Sequence, residues 1–359
     1  MKKRVVLGMS GGVDSSVSAI LLRDVGYDVI GLFMRNWHEE ADGVCSAEDD
    51  FNDVRRVASA LDIPYYTVDL SKQYLDRVFA LFVSEYKAGR TPNPDVLCNK
   101  EIKFGPFKEH ATKLGAEYIA TGHYCGTKVV DGRTYLTRAK DENKDQTYFL
   151  NQVSEAQIEN CLFPLANLLK PEVREIAKKH GLATADKKDS TGICFIGERN
   201  FRQFLSQYVP MKKGPIKTLD GRTVGEHNGV FYYTVGQRKG MGLGGSGNGE
   251  PYFVLKKDVA TNTLYVNQGE CEELFSTELT CENFNFITEK PKELRAGADG
   301  TARVQCRIRH RQPLVNATVD ETSSGLIRIK FESPVRGVAT GQYAVIYDND
   351  VCLGGGVIR

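Results

Sequence analysis

VVLGMSGGVDSSVSAILL, residues 5–22, is the stretch that decides the fold. It begins with Val5, Val6 and Leu7, an apolar run with β-branched residues that is typical of a buried parallel strand. From Ser16 onward, apolar residues recur at helical spacing. Between strand and helix lies a turn with two adjacent glycines, which points backbone N–H groups and the positive end of a helix dipole at one place. The pattern therefore predicts a binding site for an anion, most obviously a phosphate.

The loop of this predicted site, residues 10–15 (SGGVDS), is not a Walker sequence, because the lysine of GxxxxGK[ST] is missing. An ordinary glycine-rich turn of a doubly wound fold is the alternative interpretation. All six residues, placed directly after the first strand, favour a nucleotide site over such a turn. They resemble the pyrophosphate loop of the PP-loop ATP pyrophosphatases. That resemblance implies that ATP is cleaved between its α- and β-phosphates and that an acceptor oxygen is adenylated.

The composition limits the class of protein. The chain has 359 residues, 41% of them hydrophobic and 26% charged, which is ordinary for a globular protein of two or three domains. A formal net charge of +1 excludes a uniformly basic protein but permits a locally basic face. No apolar run approaches the length of a membrane span, and MKKRVVLGMSGG is too short and glycine-rich for a signal peptide. We therefore expect a cytoplasmic protein without membrane contact.

The nine cysteines form no CxxC pair, which argues against a zinc ribbon, an iron–sulfur cluster and a thioredoxin-like redox pair. In a reducing cytosol, most of them are expected to be small buried hydrophobic residues. This structural interpretation covers Cys125, Cys271, Cys281, Cys306 and Cys352. Cys45 lies in a polar stretch and is expected to be exposed, but its acidic neighbours disfavour a thiolate.

Strands and helices alternate in the first part of the chain, which predicts an α/β fold with a doubly wound parallel sheet. The strands are predicted at 5–7, 28–33, 65–70 and 118–121, and the helices from 16 and at 47–61, 74–86, 170–180 and 202–208. A hairpin is predicted over 126–137, with its turn at Asp131 and Gly132. Ligands of such sheets lie at the carboxyl ends of the strands, so we expect Met34, Gly122 and His123 near the loop.

From Gly214 onward, glycine becomes more frequent and short alternating runs replace the helical period. The runs are 230–235, 252–256, 263–267, 303–311, 317–319, 326–331 and 343–347. They predict a small β-rich central domain followed by a C-terminal β-barrel of about six strands. We place the three domains at 1–208, 209–274 and 275–359.

Two segments contain cysteines that chemistry could use. In TPNPDVLCNKEIKF, residues 91–104, two prolines favour an extended backbone around Asn93 and present Asp95 and Cys98 three residues apart. Taken alone, a rigid loop with a packed cysteine is the better interpretation of this segment. In KKDSTGICFIGERNF, residues 187–201, two lysines flank the turn before Cys194 and can favour a thiolate. The alternative there is a structural thiol between apolar neighbours.

The stretch RVQCRIRHR, residues 303–311, alternates with period two. As a strand it would place Arg303, Arg307, Arg309 and Arg311 on one face. Such a face could follow the phosphates of a nucleic acid, or it could be a solvated surface paired with neighbouring acids. The pattern alone does not decide between these interpretations.

Seven motifs together resemble one family. They are GMSGGVDS, NPDVLCNKEIKF, ATGHY, KDQTYFL, DSTGICFIGERNF, YTVGQRKGMGLGG and CLGGGVI, which run in order from residue 8 to residue 358. On these residues the chain resembles the tRNA-specific 2-thiouridylases of the bacterial MnmA type over its whole length. The resemblance implies an adenine nucleotide α-hydrolase-like first domain. It also implies insertion of sulfur at C2 of the wobble uridine in tRNAs for lysine, glutamate and glutamine.

The resemblance implies a role for each matching position. The ATP positions are Gly8, Met9, Ser10, Gly11, Gly12, Val13, Asp14, Ser15, Met34 and Gly122. The target base is assigned to Asn93, Pro94 and Asp95, and tRNA contacts to His123, Lys144, Asp145, Gln146, Arg309, His310 and Gln342. Cys98 matches the nucleophile and Cys194 the persulfide carrier, and the two are expected to form a transient disulfide. His310 departs from the family pattern, which often has an aromatic residue there; an imidazole can take over stacking or packing.

The implied chemistry requires ATP, Mg²⁺ and a persulfide sulfur on Cys194. Asp14 is expected to help hold the metal ion, and Asp95 to shuttle the N3 proton of the base. The implied partners are tRNA and an upstream sulfur-carrier protein or cysteine desulfurase, and the enzyme is expected to be a monomer. The rivals are a PP-loop enzyme that attacks its adenylate with nitrogen and a non-catalytic tRNA-binding protein. The cysteine pair disfavours the first, and the intact Asp14, Cys98 and Cys194 disfavour the second.

Overall fold

The computed structural model describes residues 2–37, 46–188, 201–209, 211–244, 249–294 and 300–359. Cys45 and Cys194 lie outside the described residues, and so does the predicted disulfide between Cys98 and Cys194. The described chain contains three β-sheets, which follow one another along the sequence except for one hairpin of the first domain.

The N-terminal domain alternates strands and helices, as the sequence predicts. Its strands are β1 (Arg4–Gly8), β2 (Asp28–Arg35), β3 (Tyr65–Asp69), β4 (Tyr118–Thr121), β5 (Cys125–Val130), β6 (Arg133–Arg138) and β7 (Cys161–Leu162). Its helices are α1 (Val13–Asp24), α2 (Ser46–Leu61), α3 (Ser71–Tyr74), α4 (Ala80–Lys87), α5 (Pro94–Cys98), α6 (Pro106–Lys113), α7 (Glu155–Ile158), α8 (Lys170–Lys179) and α9 (Phe201–Ser206). Five strands form a parallel sheet in the order β3-β2-β1-β4-β7. The predicted α/β fold is confirmed.

Both faces of this sheet are covered, because successive residues of the central strand β1 point to opposite sides. Val5 and Leu7 belong to one apolar core, and Val6 to the other. Helices α1, α2 and α8 contribute to the Leu7 side through Ile20, Val54 and Val173, among others. Helices α4, α5 and α6 contribute to the Val6 side through Phe82, Val96 and Phe107. The sheet is therefore doubly wound.

The central domain is a four-stranded mixed sheet. Its strands are β8 (Gly214–Lys217), β9 (Thr223–His227), β10 (Tyr252–Asp258) and β11 (Thr263–Gln268), in the order β10-β11-β8-β9. The predicted strand at 230–235 is wrong, because Val230–Tyr232 forms a 3₁₀ turn. The backbone N–H of Thr234 is bonded to the side chain of Gln237, 3.0 Å away, and so is not available to a strand ladder. Apolar alternation here reflects a buried turn.

The C-terminal domain is a closed six-stranded barrel, as predicted. Its strands are β12 (Phe275–Phe286), β13 (Thr301–Arg307), β14 (Val315–Glu321), β15 (Ile327–Arg336), β16 (Tyr343–Asp348) and β17 (Val351–Ile358). The order is β12-β15-β14-β13-β16-β17, and pairing of β12 with β17 closes the barrel. The glycine-rich β17 was not predicted, because Gly354, Gly355 and Gly356 break the apolar alternation.

The hairpin β5–β6 links the first domain to the barrel. Its predicted turn is confirmed, since Asp131 and Gly132 both have positive φ, 49° and 75°. Strand β6 pairs with β17, so the hairpin extends the barrel sheet rather than the parallel sheet. This cross-domain pairing was not predicted, because hairpin periodicity does not indicate which sheet a hairpin joins. None of the described helices combines the length and apolar character that a membrane span requires.

Candidate functional site

The predicted phosphate loop connects β1 to α1 and has the backbone of an anion site. Gly11 has φ 75°, and a Cβ there would collide with the backbone of Asp50, so only glycine fits. Gly12 precedes the helix in an extended conformation and supplies no side-chain cap. Among the described residues, the leading N–H groups of α1 therefore have neither an intrahelical acceptor nor a capping side chain, which suits them to bind an anion.

Ser10 and Ser15 hold this loop from inside. The N–H of Ser10 donates to the Ser15 hydroxyl at 3.2 Å, and that hydroxyl donates to the carbonyl of Gly12 at 3.1 Å. The loop after β4 lies against the same turn, since a Cβ at Gly122 would stand 2.9 Å from the nitrogen of Ser15. Met34 lies at the carboxyl end of β2, next to β1. The residues predicted for ATP thus meet at one edge of the sheet.

Asp14 has partners that sequence reasoning missed. The ammonium of Lys170 donates to its two carboxylate oxygens at 2.7 and 2.8 Å, and the Tyr124 hydroxyl donates to one of them at 2.9 Å. The Lys170 side chain is 10% exposed and that of Asp14 33%. The sequence places Lys170 at the start of a helix 156 residues away from Asp14, and nothing in the pattern links the two. The structure therefore brings a lysine to a loop that has none of its own.

A second lysine also reaches the loop. Lys187 donates to Asp50 at 2.7 Å, to Asp53 at 2.6 Å and to the carbonyl of Gly11 at 3.1 Å. Burial lowers the pKa of Lys187, but its two carboxylate partners raise it by more. Of the two lysines that were expected to favour a thiolate at Cys194, Lys187 is therefore already neutralised by acids of helix α2.

The segment that contains Cys98 begins as predicted and then becomes helical. Asn93 is extended, with φ −116° and ψ 99°, and its side-chain carbonyl accepts the N–H of Val96 at 3.3 Å as the N-cap of α5. Three-residue spacing puts Asp95 and Cys98 on neighbouring positions of this helix. Asp95 is half-buried, and Cys98 is completely buried. That burial matches the alternative of a packed cysteine, so the role of Cys98 remains a prediction.

Both β domains hold the chain just before Asn93. From the barrel, the carbonyl of Thr340 accepts the N–H of Thr91 at 2.8 Å, and the Gln342 side chain donates to the carbonyl of Thr91 at 2.8 Å. From the central domain, the Lys257 ammonium donates to the Thr91 hydroxyl at 3.3 Å, and the Thr234 hydroxyl lies 3.5 Å from it. Gln342, predicted as a tRNA contact, thus also positions the base-contact segment.

Arg309 ties the central domain to the barrel. Its guanidinium donates to the carbonyl of Val235 and, at 2.9 Å, to the carbonyl of Gly337. Burial and, to a lesser extent, the charge of Arg336 lower its pKa. We call the place where the three domains meet the junction, and it comprises Thr91, Thr234, Val235, Lys257, Arg309 and Gln342.

The predicted basic strand face is wrong. Strand β13 ends at Arg307, and Arg311 has φ 65°, so residues 309 and 311 do not continue the alternation. Arg307 is only 3% exposed and pairs at 3.3 Å with Asp145, which is 0% exposed. Neither interpretation offered for the face, phosphate contact or solvated surface, applies to Arg307. The alternation reflected a strand end followed by a turn.

The turn at 144–146 joins the loop region to the barrel through this ion pair. Asp145 also accepts the Thr147 hydroxyl at 2.8 Å, and the side-chain carbonyl of Gln146 accepts the N–H of Tyr124 at 2.9 Å. Burial raises the pKa of Asp145, although its hydrogen bond from Thr147 and the charge of Arg307 oppose that shift. With no exposed surface, Asp145 does not itself face an RNA in this conformation, and the backbone N–H of the half-buried Lys144 is held by Asp141 instead.

Two histidines predicted to contact tRNA stay neutral. His123 has its Nδ1 2.7 Å from the Thr121 hydroxyl, and burial, assisted by Lys103, lowers its pKa well below the ordinary value. His310 lies with its ring centroid 4.6 Å from that of Phe149, and burial with nearby cations lowers its pKa to about 4. Its buried Nδ1 has no hydrogen-bond partner in the described chain. His310 thus has the packing role proposed for an imidazole.

No three His, Cys, Asp or Glu side chains cluster as a metal site would require within the described part of the chain. The residues named for ATP gather at the phosphate loop, whereas Arg309 and Gln342, two of the residues named for tRNA, lie at the junction. The loop contains the anion-binding backbone, and the junction contains half-buried cations near the segment of Asn93 and Cys98.

Comparison with known proteins covers all three domains. Family models described as tRNA methyl transferase HUP domain, tRNA methyl transferase PRC-barrel domain and aminomethyltransferase beta-barrel domain match residues 3–198, 202–268 and 276–358. The chain is 54% identical over 357 residues to tRNA-specific 2-thiouridylase MnmA 2 of Geobacillus kaustophilus, covering 99% of this chain and 94% of that protein. It is 55% identical over 359 residues to tRNA-specific 2-thiouridylase MnmA of Listeria monocytogenes, with the same coverage.

Among solved structures, the U34-tRNA thiolase NcsA from Methanococcus maripaludis matches with a TM-score of 0.36 and 17% sequence identity. The match covers 57% of this chain and 63% of that chain. An NMN synthetase from Francisella tularensis matches with a TM-score of 0.33 and 20% identity, covering 52% of this chain and 66% of that one.

Proposed function

The chain belongs to the family of tRNA-specific 2-thiouridylases of the MnmA type, and on that basis we propose that it is a sulfurtransferase that thiolates a uridine of tRNA. The proposed substrate is the wobble uridine of tRNAs for lysine, glutamate and glutamine, and the proposed position is C2 of its base. ATP is the proposed activating substrate, with AMP and pyrophosphate as products. The sulfur is proposed to arrive as a persulfide on Cys194 from a sulfur-carrier protein or a cysteine desulfurase.

One observation carries this proposal: the barrel is bonded to the base-contact segment. Thr340 and Gln342 of the barrel bond to Thr91, two residues before Asn93. After helix α5, the side chain of Asn99 donates at 2.9 Å to the carbonyl of Phe149. The ring of Phe149 in turn packs against His310, which follows barrel strand β13. Helix α5 would therefore have a fixed position relative to an RNA bound on the barrel. This arrangement supports an enzyme that presents one nucleotide of the RNA to a thiol. A nucleotide-binding domain that acted independently of the barrel would not need these contacts.

Activation of the base is proposed to occur at the phosphate loop. The C2 oxygen of uracil is a poor leaving group, and adenylation converts it into AMP, which leaves readily. The N–H groups at the start of α1 would stabilise the charge that develops on the departing pyrophosphate. Lys170 would contribute a positive charge at the same place, because its ammonium already lies at Asp14.

Asp14 is suited in its chemistry to the predicted magnesium ion, since a half-buried carboxylate beside a phosphate loop is a hard oxygen donor. Bound magnesium would neutralise part of the triphosphate charge. Both oxygens of Asp14 accept from Lys170, so a magnesium ion that took the place of this ammonium would release it from Asp14. The released ammonium would then be available to a phosphate oxygen.

Sulfur transfer is proposed to use the two predicted thiols in sequence. The terminal sulfur of the Cys194 persulfide bonds to C2 as AMP leaves. The Cys98 thiolate then attacks the inner sulfur of Cys194, which breaks the S–S bond and leaves the terminal sulfur on the base. The resulting Cys98–Cys194 disulfide needs an external dithiol to reduce it. In a variant of this step, Cys98 releases sulfide, which attacks C2 in its place. Asp95 would accept and return the N3 proton.

The burial of Cys98 adds a requirement to this mechanism. Its thiol is 0% exposed, so binding of tRNA must uncover it before the second attack. Because α5 begins at a segment bonded to both β domains, contacts of an RNA with these domains are suitably placed to cause that change.

The test is a reaction with unmodified tRNA, ATP and a persulfide donor, analysed by mass spectrometry of nucleosides and by nucleotide chromatography. We expect 2-thiouridine at the wobble position together with AMP and pyrophosphate. Cys194→Ser should form adenylated tRNA but carry no extra sulfur, whereas Cys98→Ser should accumulate a persulfide on Cys194. Cys271→Ser, in the central domain, is the matched control and should keep full activity. Absence of 2-thiouridine, or ADP as the nucleotide product, would overturn the proposal.

A further inference from the structure

Lys257, on strand β10 of the central domain, is a half-buried cation with no counter-charge among the described residues. Its ammonium makes one hydrogen bond within the described chain, to the hydroxyl of Thr91 at 3.3 Å, and it forms no ion pair there. Burial lowers the pKa of the Lys257 ammonium to about 8, so most of the side chain is charged at neutral pH. None of the predicted site residues is on β10, and the strand predicted at 252–256 ends one residue before Lys257.

Two other lysines of the described chain, the buried Lys170 and the half-buried Lys187, do have counter-charges. Lys170 is neutralised by Asp14, and Lys187 by Asp50 and Asp53. An ammonium that is taken out of water without a carboxylate is unfavourable, and such groups are concentrated where a protein binds something of opposite charge. A packing role therefore does not explain why a charged lysine is at position 257.

The surroundings of Lys257 are those of a small anion site. An ammonium has three donor hydrogens, and Thr91 accepts only one of them. The Thr91 and Thr234 hydroxyls lie 3.5 Å apart, so one of them can donate outward while the other accepts. Within the junction, Arg309 adds a second half-buried cation, whose hydrogen bonds among the described residues go only to the carbonyl oxygens of Val235 and Gly337.

The position along the chain indicates which anion would bind. Thr91 precedes Asn93 by two residues, a separation of about 7 Å at most in an extended chain. The base is proposed to be held at 93–95, so a group bound at Lys257 would belong to the same nucleotide or to an adjacent one. The negatively charged group of a nucleotide at that distance is its backbone phosphate.

We infer that Lys257, together with the Thr91 and Thr234 hydroxyls, binds a backbone phosphate of tRNA next to the uridine that is modified. This inference rests on the proposed function, because it takes the substrate to be tRNA and the base to lie at 93–95. The site would position the nucleotide by its phosphate and leave the reading of the base to α5. Because Thr91 is the first residue of the segment that contains the buried Cys98, phosphate binding there would also link RNA binding to the position of this segment.

The test compares Lys257→Met with Lys256→Met in the full-length protein. Lys256 is the exposed neighbour on the same strand and serves as the matched control. Binding of unmodified tRNA is measured across a salt series. Lys257→Met should weaken binding about tenfold and reduce the slope of log K against log salt by roughly 0.7 to 0.9. Lys256→Met should stay within about twofold of the wild type, and Lys257→Arg should restore most of the affinity.

Thermal unfolding separates phosphate binding from a structural role. Removal of an uncompensated buried charge should leave the melting temperature of Lys257→Met unchanged or raise it. A structural lysine would instead lower the melting temperature, and the loss of binding would follow the loss of folded protein. That result would overturn the inference, as would an affinity and salt slope of Lys257→Met equal to those of Lys256→Met.

A chemical change in the RNA locates the contact. Anticodon stem-loops with a neutral methylphosphonate at each linkage around the target uridine are titrated against wild type and Lys257→Met. One linkage should weaken wild-type binding about tenfold and leave Lys257→Met unaffected. If no linkage shows this coupling, the phosphate site is wrong, even where the wild type produces 2-thiouridine. If the wild type produces no 2-thiouridine but the coupling is present, the proposed activity fails and the phosphate site stands.

Discussion

The lysines beside the phosphate loop are paired with carboxylates, whereas the half-buried cations of the junction have no carboxylate partner among the described residues. At the loop, Lys170 lies on Asp14, and Lys187 lies between two acids of α2. At the junction, the ammonium of Lys257 and the guanidinium of Arg309 bond only to hydroxyl and carbonyl oxygens of the described chain. Burial lowers the pKa of both junction cations, which is the expected consequence of missing counter-charges.

The difference follows from how the two proposed ligands carry their charge. A nucleoside triphosphate binds together with a divalent cation, so its site needs oxygen donors for the metal and backbone N–H groups for the phosphates. A tRNA phosphate arrives with exchangeable monovalent ions, and affinity comes from the protein cation that replaces them. A loop with acids and a junction without them therefore fit ATP at the first place and RNA at the second.

Asp14→Asn should have the largest effect, because it removes the one loop carboxylate that lies on Lys170. Formation of AMP should fall about a thousandfold, since both metal binding and the placement of Lys170 depend on this carboxylate. The melting temperature should also fall, because an amide at position 14 cannot neutralise the buried ammonium of Lys170 as the carboxylate does. Radiolabelled ATP and calorimetry measure the two effects.

The matched control is Asp24→Asn, at the exposed end of the same helix, which should change neither quantity. Asp14→Asn combined with Lys170→Met should recover thermal stability but not AMP formation. If Asp14→Asn alone keeps near-normal AMP formation, the acid serves only to neutralise the lysine. The carboxylate at the loop would then be no argument for ATP binding there.

Most of the loop region could be predicted because its information is local. Strand β1, the turn and helix α1 follow from eighteen consecutive residues, and the alternation of strands and helices places Met34 and Gly122 at the same edge. The exception is Lys170, whose approach to Asp14 depends on how α8 packs against α1. Sequence periodicity shows that a helix is amphipathic, and it does not show which helix it will contact.

The junction could not be predicted in this way, because each of its bonds joins residues far apart in the chain. The hydrogen bonds of Thr91 reach residues 234, 257, 340 and 342, in two other domains. The resemblance named Arg309 and Gln342 as tRNA contacts, but it did not indicate that they also hold the domains together. The basic alternation over 303–311 was misleading, because strand β13 ends at Arg307 and the alternating sequence continues into a turn.

Asp145→Asn should have the next largest effect, on stability rather than on chemistry. Arg307 is a buried arginine next to the junction, and it is paired with the carboxylate of Asp145. Loss of the Asp145 charge would leave the guanidinium of Arg307, which lies over the ring of Tyr347, without this counter-charge. We expect the free energy of unfolding to fall by about 3 kcal/mol. Urea denaturation followed by the fluorescence of the aromatic residues measures it.

A partly exposed pair on the same barrel provides the comparison. Asp320 and Arg328 are also bonded, with side chains 18% and 38% exposed, and Asp320→Asn should lower the free energy of unfolding by less than about 1 kcal/mol. Asp145→Asn with Arg307→Met should recover part of the loss, because no buried charge remains. If Asp145→Asn and Asp320→Asn lowered the free energy of unfolding equally, burial of the Asp145–Arg307 pair would add nothing to its contribution to stability.

His310 provides the smallest and most specific test, because it follows Arg309 in the chain but has a ring that remains neutral. Its pKa is lowered to about 4, first by burial and then by Arg311, Arg307 and Lys144. A neutral imidazole packed on Phe149 adds no further charge to a region already rich in cations. Protonation of this ring would therefore oppose the folded state and not assist it.

His310→Phe should remove a pH dependence without disturbing the stacking. An unfolded imidazole has a pKa of about 6.5, so between that value and about 4 the unfolded chain binds a proton that the folded chain does not. The free energy of unfolding of the wild type should thus decrease as the pH falls from 7 to 4, with this residue contributing on the order of 1 kcal/mol after allowance for solvent screening. Urea denaturation at pH 7.5 and at pH 4.5 should show a smaller difference for His310→Phe, whereas His180→Gln, an exposed histidine at the end of α8, should match the wild type. A difference as large as that of the wild type would mean that His310 accepts its proton in the folded protein, and the positive charge around the junction would then rise on acidification.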